Sequence, residues 1–225
     1  MKQRRLFHVL FPYIIMAIPW IYLAIIWKAL PSTIPTHFGL RGYGDQFGPK
    51  KDILIAPAIL TVVGILMYFI MRNIYKIDPK KKYSATTSVV LAKLSVVILV
   101  LLCGICLFIM YSTLKGKIQG MPFFFCGMSL FLAYIGNLMH SIKPNYFAGF
   151  RVPWALENED NWRMTHQLAS KIWFWGGIAL AIISLFLDIK LLIIVFISSV
   201  FIMTLIPVFY SYNLYRRSAK TNNSN

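Results

Sequence analysis

Apolar and polar positions in this chain do not alternate finely; they come in long blocks. Runs of apolar residues of roughly the length that crosses a bilayer core, about 20 residues, fall at 6–30, 53–71, 88–111, 121–142, 168–187 and 191–212. The pattern predicts an all-α, polytopic integral membrane protein with six transmembrane helices. Pro12 and Pro19 lie inside the first run, where a membrane helix tolerates them with a local kink. Trp20, Tyr22 and Trp27 crowd its second half, which suits an aromatic belt at the far interface. The basic head of this run resembles a signal peptide. The apolar stretch continues to Trp27 without a small-residue cleavage site, so the reading is an uncleaved first span.

The polar interruptions are unequal. Arg72 to Lys82 form a basic connector with Asp78-Pro79 as a turn, Lys115 to Lys117 a short link, and Asp188 to Lys190 a tight turn. Two others are longer than a connector needs. In 30–52, Pro31, Pro35 and Pro49 stiffen the chain, Gly39, Gly42, Gly44 and Gly48 allow tight turns, and His37, Arg41 and Asp45 are the polar groups between them. Segment 143–171 holds three of the seven acids and two of the six tryptophans. In it Gly149 allows a bend before Arg151, and Pro153 fixes the backbone between Arg151 and Trp154, a pair suited to holding the loop against lipid headgroups. Asn158 or Asp160 is placed to cap a helix beginning near Trp162. Trp162, Thr165, His166 and Ala169 then recur on one helical face. Two readings of that face stay open: an interfacial helix with its aromatic anchor, or a partner-binding surface.

Composition agrees with the blocks. The chain is 58% hydrophobic, only 13% charged, and has a mean hydropathy of +0.66, against about a quarter charged in soluble domains. The net charge of +16 would suggest nucleic acid in a soluble chain. Here the basic clusters flank apolar runs, so anionic membrane lipid is the expected partner and nucleic acid is not. Six spans leave both termini on one side with sixteen of the 23 basic residues and seven on the other, which predicts N-in/C-in. The 30–52 loop is then extracellular and the 143–171 loop cytoplasmic. Cys103, Cys106 and Cys126 sit in apolar runs and read as small apolar residues.

Candidate chemistry is sparse. No HExxH-like spacing occurs, and His37 is expected across the membrane from His140 and His166, so neither enzyme, metal site nor cofactor is expected. His140, at the end of the fourth run, reads as a headgroup-level histidine. Few polar groups lie mid-span, Asn137 being one near a span end; a small membrane transporter, or an orphan membrane protein of unknown substrate, is the alternative reading.

Asn145, Gly149-Phe150-Arg151, Pro153-Trp154, Asn158 and the stretch from Trp162 to Ser170-Lys171 resemble the signature of the SdpI family of bacterial immunity proteins. The 30–52 loop, with LPSTIPTHF, its glycines, Asp45 and Lys50, resembles the small domain of unknown function that often precedes that signature. The resemblance implies two modules: 1–84, with two spans and the Gly/Pro-rich loop, and 85–225, with four spans and the motif loop. It further implies a multi-pass protein of the bacterial plasma membrane that confers immunity to a secreted, membrane-active peptide toxin. A second implied role is as a sensor that draws a cytoplasmic repressor to the membrane. The motif residues carried over are Asn145, Gly149, Arg151, Pro153, Trp154, Trp162 and His166 inside, with Pro35, His37, Gly42 and Asp45 outside. Val152 and Ala155 stand where the family has Thr, so two hydroxyls are missing.

Overall fold

The computed structural model describes residues 2–39, 42–80 and 84–223, without side chains at 2–7, 84 and 219–223. Arg41, Lys81 and Lys82, and the side chains of Lys2, Arg4, Arg5 and Lys220, lie outside it. The helices are α1 (Lys2–Ile26), α2 (Ile55–Asn73), α3 (Ser84–Lys115), α4 (Met121–Met139), a short α5 (Pro153–Glu157), α6 (Glu159–Ile183) and α7 (Ile189–Asn223). Two strands, β1 (Thr33–Phe38) and β2 (Gly44–Pro49), lie between α1 and α2. The chain forms two compact units, Met1–Met71 with Ser95–Met121, and Arg72–Leu94 with Pro122–Asn225.

Among the described residues, five stretches are fit by length and composition to cross a membrane: His8–Ala29, Lys50–Ile77, Ala85–Lys115, Met121–Met139 and Ile189–Ser218. The run expected as a span at 168–187 begins as the apolar half of α6, which ends at Ile183. That helix starts at Glu159, because the Asn158 side chain accepts the Asn161 N–H and caps it there. Its first turns are polar, which removes it from that set.

In the first unit, α1, α2 and the later turns of α3 share a core that includes Met16, Leu23, Tyr68, Leu99, Cys106 and Met110. The two α1 prolines are built into it. Proline has no N–H, so Pro12 and Pro19 leave the carbonyls of His8 and Ile15 without their i+4 donors. Tyr68 donates its hydroxyl to the His8 carbonyl at 3.1 Å, and Cys103 donates its thiol to the Ile15 carbonyl at 3.5 Å. A carbonyl orphaned in an apolar setting costs free energy unless a neighbour fills it, and two neighbouring helices do so here.

The all-helical expectation holds for everything except the 30–52 loop. That loop is an antiparallel hairpin, with Thr33 opposite Pro49, Pro35 opposite Phe47 and His37 opposite Gln46. Register irregularities either side of His37 broke the plain alternation that would have signalled strands. Gly42 takes the left-handed φ of +77° that the tip requires. Its carbonyl accepts the Ile118 N–H at 2.7 Å, and Tyr43 bridges to Lys117, so the α3–α4 link pairs with the hairpin. Ile34 and Ile53 anchor the hairpin in the core, and Lys50 lies over the Trp27 ring, 4.7 Å from its centre.

In the second unit, α4 and α6 cross at small residues. A side chain at Gly177 would meet the Ala133 backbone nitrogen at 2.6 Å, and one at Gly136 would run into the Phe174 amide. Close backbone approach of this kind is how membrane helices gain van der Waals contact. α7 carries the third interior proline, Pro207. The carbonyl it orphans, Met203, accepts the Trp173 indole N–H of α6 at 3.0 Å.

Candidate functional site

The polar residues of 143–171 converge within the second unit. Asn145 is 1% exposed. Its Oδ1 accepts the N–H groups of Phe147 and Ala148, at 2.8 and 2.7 Å. Its Nδ2 donates to the carbonyls of Lys143 and Ala148, at 2.8 and 3.1 Å. The full donor and acceptor capacity of the amide is spent on folding this loop.

The loop is fixed from below by His166. Gly149 has φ +103°, and a Cβ there would collide with the His166 ring. Only glycine satisfies both the backbone angle and the contact. The next amide, Phe150 N–H, donates to His166 Nε2 at 3.0 Å, while Nδ1 lies 2.8 Å from the Trp162 carbonyl. An amide can only donate, so Nε2 accepts, and the single proton of the neutral ring sits on Nδ1, bonded to Trp162. Burial pushes His166 down to about 4, against a smaller upward pull from the Trp162 carbonyl. The imidazole stacks on the Trp162 ring, 4.1 Å between centres. Trp162 itself donates to the Ile142 carbonyl at 2.9 Å.

A second cluster joins α5, α6 and α7. Trp154 donates its indole N–H to Ser211 Oγ at 3.1 Å. Ser211 donates onward to Asn161 Oδ1 at 2.6 Å, and the same oxygen accepts Thr165 Oγ1 at 3.0 Å. Asn161 Nδ2 returns a bond to the Ser211 carbonyl at 2.9 Å. The Trp154 ring packs against Tyr212 and Tyr215. A third tie reaches 143–171 from the α2–α3 connector. Asp78, 1% exposed, accepts the N–H groups of Lys80 at 2.8 Å and Tyr146 at 3.3 Å, and Lys80 Nζ donates to the Leu156 carbonyl at 2.6 Å.

The structure therefore brings Asn145, Gly149, Trp162 and His166 together as internal scaffolding, with their polar atoms committed inside the unit. Pro153 opens α5, and Val152 is its N-cap residue without a side-chain cap. Arg151 is the exception. It is exposed, and its Nη1 donates to the Tyr146 carbonyl at 2.8 Å. Beside it lies a groove of about 640 Å³ lined by Arg151, Phe150, Leu156, Trp173, Thr204 and neighbouring residues. Among the described residues no group of three or more His, Cys, Asp or Glu side chains is arranged to hold a metal ion.

Pro35, His37, Gly42 and Asp45 are grouped separately in the hairpin. His37 Nδ1 lies 2.6 Å from Asp45 Oδ1 on an open surface. Tyr43 and Phe47 beside them are 63% and 62% exposed. Sequence reasoning missed Asp78, Asn161 and Ser211. A carboxylate before proline in a basic stretch was the available signal for Asp78. Nothing local marked Ser211, whose partners lie 50 and 57 positions away.

Comparison with known proteins is consistent with this division. Residues 141–211 match the family described as the SdpI/YfhL protein family, and residues 14–61 match DUF1648, a domain of unknown function. The chain is 23% identical over 208 residues to the Immunity protein SdpI of Bacillus subtilis (strain 168), spanning 91% of this chain and 94% of that protein. It is 36% identical over 59 residues to an uncharacterized protein of Archaeoglobus fulgidus, 26% of this chain and 32% of that one. No solved structure matches it.

Proposed function

Because residues 141–211 match the SdpI/YfhL protein family and the chain is a multi-pass protein of the plasma membrane, we propose that it is an immunity protein against a secreted, membrane-active peptide. The observation that carries this is similarity to the Bacillus subtilis immunity protein along 91% of the chain. It covers hairpin, helices and motif loop alike. In this reading the chain crosses the membrane six times, with the apolar half of α6 completing the fifth crossing. The termini lie in the cytoplasm with sixteen of 23 basic residues. The hairpin then faces the exterior and offers His37, Asp45, Tyr43 and Phe47 to the peptide. Exposed aromatic and charged side chains on a rigid support are the usual makings of a recognition surface.

A role in drawing a repressor to the membrane would fall to the opposite face. Asn145, Trp162 and His166 are spent on internal bonds, so such a partner would read Arg151, Glu157 and the exposed Asp160–Arg163 pair. The test is survival of a peptide-sensitive cell that expresses the protein. Protection is expected from the wild type and is reduced by Tyr43→Ala with Phe47→Ala. Unchanged killing, with the wild type shown to be inserted, overturns the proposal.

A further inference from the structure

The groove beside Arg151 has a polarity that its neighbours dictate. Its lining includes one charged side chain, Arg151, and no carboxylate. Besides Arg151 and the Tyr146 hydroxyl, the lining side chains that carry polar atoms have used them: Trp173 donates to the Met203 carbonyl, and Thr204 donates to the Val200 carbonyl at 2.8 Å. What they turn to the groove is therefore ring and methyl surface. Phe150 and Leu156 add to it.

The groove also has a direction. Thr204 lies near the middle of the apolar stretch Ile189–Ser218, whereas α5 is fastened at Ser211, Tyr212 and Tyr215 through Trp154. Seven residues of helix separate Thr204 from Ser211, about 10 Å along the axis. The apolar end thus lies at the level of the apolar helix middle and the loop end carries the cation. Among the described residues Arg151 has one bond, to the Tyr146 carbonyl. The remaining N–H groups of its fork are open to an oxyanion.

We propose that this groove binds an anionic phospholipid, its phosphate on the Arg151 guanidinium and one acyl chain along Phe150, Leu156, Trp173 and Thr204. A cation at one end, an uncharged apolar wall, and a net charge of +16 in a membrane protein match an amphiphile drawn from the surrounding leaflet. The inference is independent of immunity, since it concerns only the second unit and its lipid.

The test is native mass spectrometry of the full chain, released from vesicles of equimolar phosphatidylglycerol and phosphatidylcholine. The wild type retains phosphatidylglycerol over phosphatidylcholine by about tenfold: both present a phosphate to Arg151, but the choline cation of the second is repelled by the guanidinium, and ~1.4 kcal/mol of such repulsion gives that factor. Arg151→Gln brings the ratio to one, and Arg151→Lys keeps part of it. Thr204→Trp, which fills the apolar end, lowers retention of both lipids. Leu156→Trp makes the same test from the opposite wall if Thr204→Trp does not fold. An equal ratio in the wild type, or an unchanged ratio in a folded Arg151→Gln protein, overturns the proposal. So does displacement of all bound lipid by an apolar peptide with a free carboxylate, which would identify the groove as a peptide site.

Discussion

Trp173→Phe, made alone and with Pro207→Ala, tests whether the interior prolines of this protein are stabilised by side chains from other helices. Pro207 has no N–H, and the carbonyl it leaves open, Met203, accepts the Trp173 indole at 3.0 Å. Phenylalanine keeps most of the ring but removes the donor. The single substitution therefore loses a hydrogen bond worth about 0.6 kcal/mol on average between membrane helices and up to ~1.7. It also loses some packing. Pro207→Ala supplies a backbone N–H to the same carbonyl, so the indole donor becomes redundant. In that background Trp173→Phe should cost only its packing term, and the coupling between the two sites should be roughly 0.6–1.7 kcal/mol. Equilibrium unfolding in mixed micelles, followed by far-ultraviolet circular dichroism, gives all four stabilities. Additivity within about 0.3 kcal/mol, the scatter of independent sites, would refute the reasoning. The same cycle applies to Tyr68→Phe with Pro12→Ala, where the carbonyl is that of His8.

Four further outcomes follow from the motif region. His166 is held neutral and accepts the Phe150 amide, with its pKa lowered to about 4. An unfolded chain takes up that proton near pH 6.5 and the native one does not, so stability is full above about 6.5 and falls as pH drops toward 4. The loss reaches roughly 3 kcal/mol, and a His166→Gln variant, titrated by the same unfolding assay, should show a flatter profile. Gly149→Ala places a methyl against the His166 ring at φ +103° and should destabilise by more than about 1 kcal/mol; a neutral result in thermal unfolding would contradict the packing. Val152→Thr supplies the missing N-cap oxygen of α5 and should raise stability by about 1 kcal/mol, read as a higher unfolding midpoint. Gly177→Val drives a side chain into the Ala133 and Ser129 backbone and should abolish recovery of folded protein in detergent extraction.

Much of the helical architecture was legible in the sequence because lipid imposes a single rule: a run of about 20 apolar residues must satisfy its own backbone, and a helix does so. The start of α6 was half legible. The cap at Asn158 and the Trp162, Thr165, His166, Ala169 stripe were both visible and placed a helix beginning near Trp162, three residues after the Glu159 start; that the polar turns and the apolar run form one continuous helix to Ile183 is what packing adds. The hairpin was not legible as strands. Its glycines and prolines serve a bulged register and a left-handed tip, and these hide the period of two. The motif residues were visible as a group, but their work was not. Asn145 bonds within three positions, a local turn that sequence can suggest. Asn161 depends on Ser211, and Tyr146 on Asp78, 68 positions away. Such pairings exist only once the helices have packed. The prolines were read as tolerated kinks. That each orphaned carbonyl has a donor from a neighbouring helix is a tertiary fact that no local pattern encodes.

In the proposed topology the hairpin lies outside the cell and the motif loop in the cytoplasm. Single cysteines at Phe47 and Glu157, in a chain cleared of Cys103, Cys106 and Cys126, measure this directly with a membrane-impermeant maleimide on intact cells. Labelling at position 47 alone, with position 157 reacting only after the membrane is opened, is the predicted result. Labelling of position 157 in intact cells would contradict it.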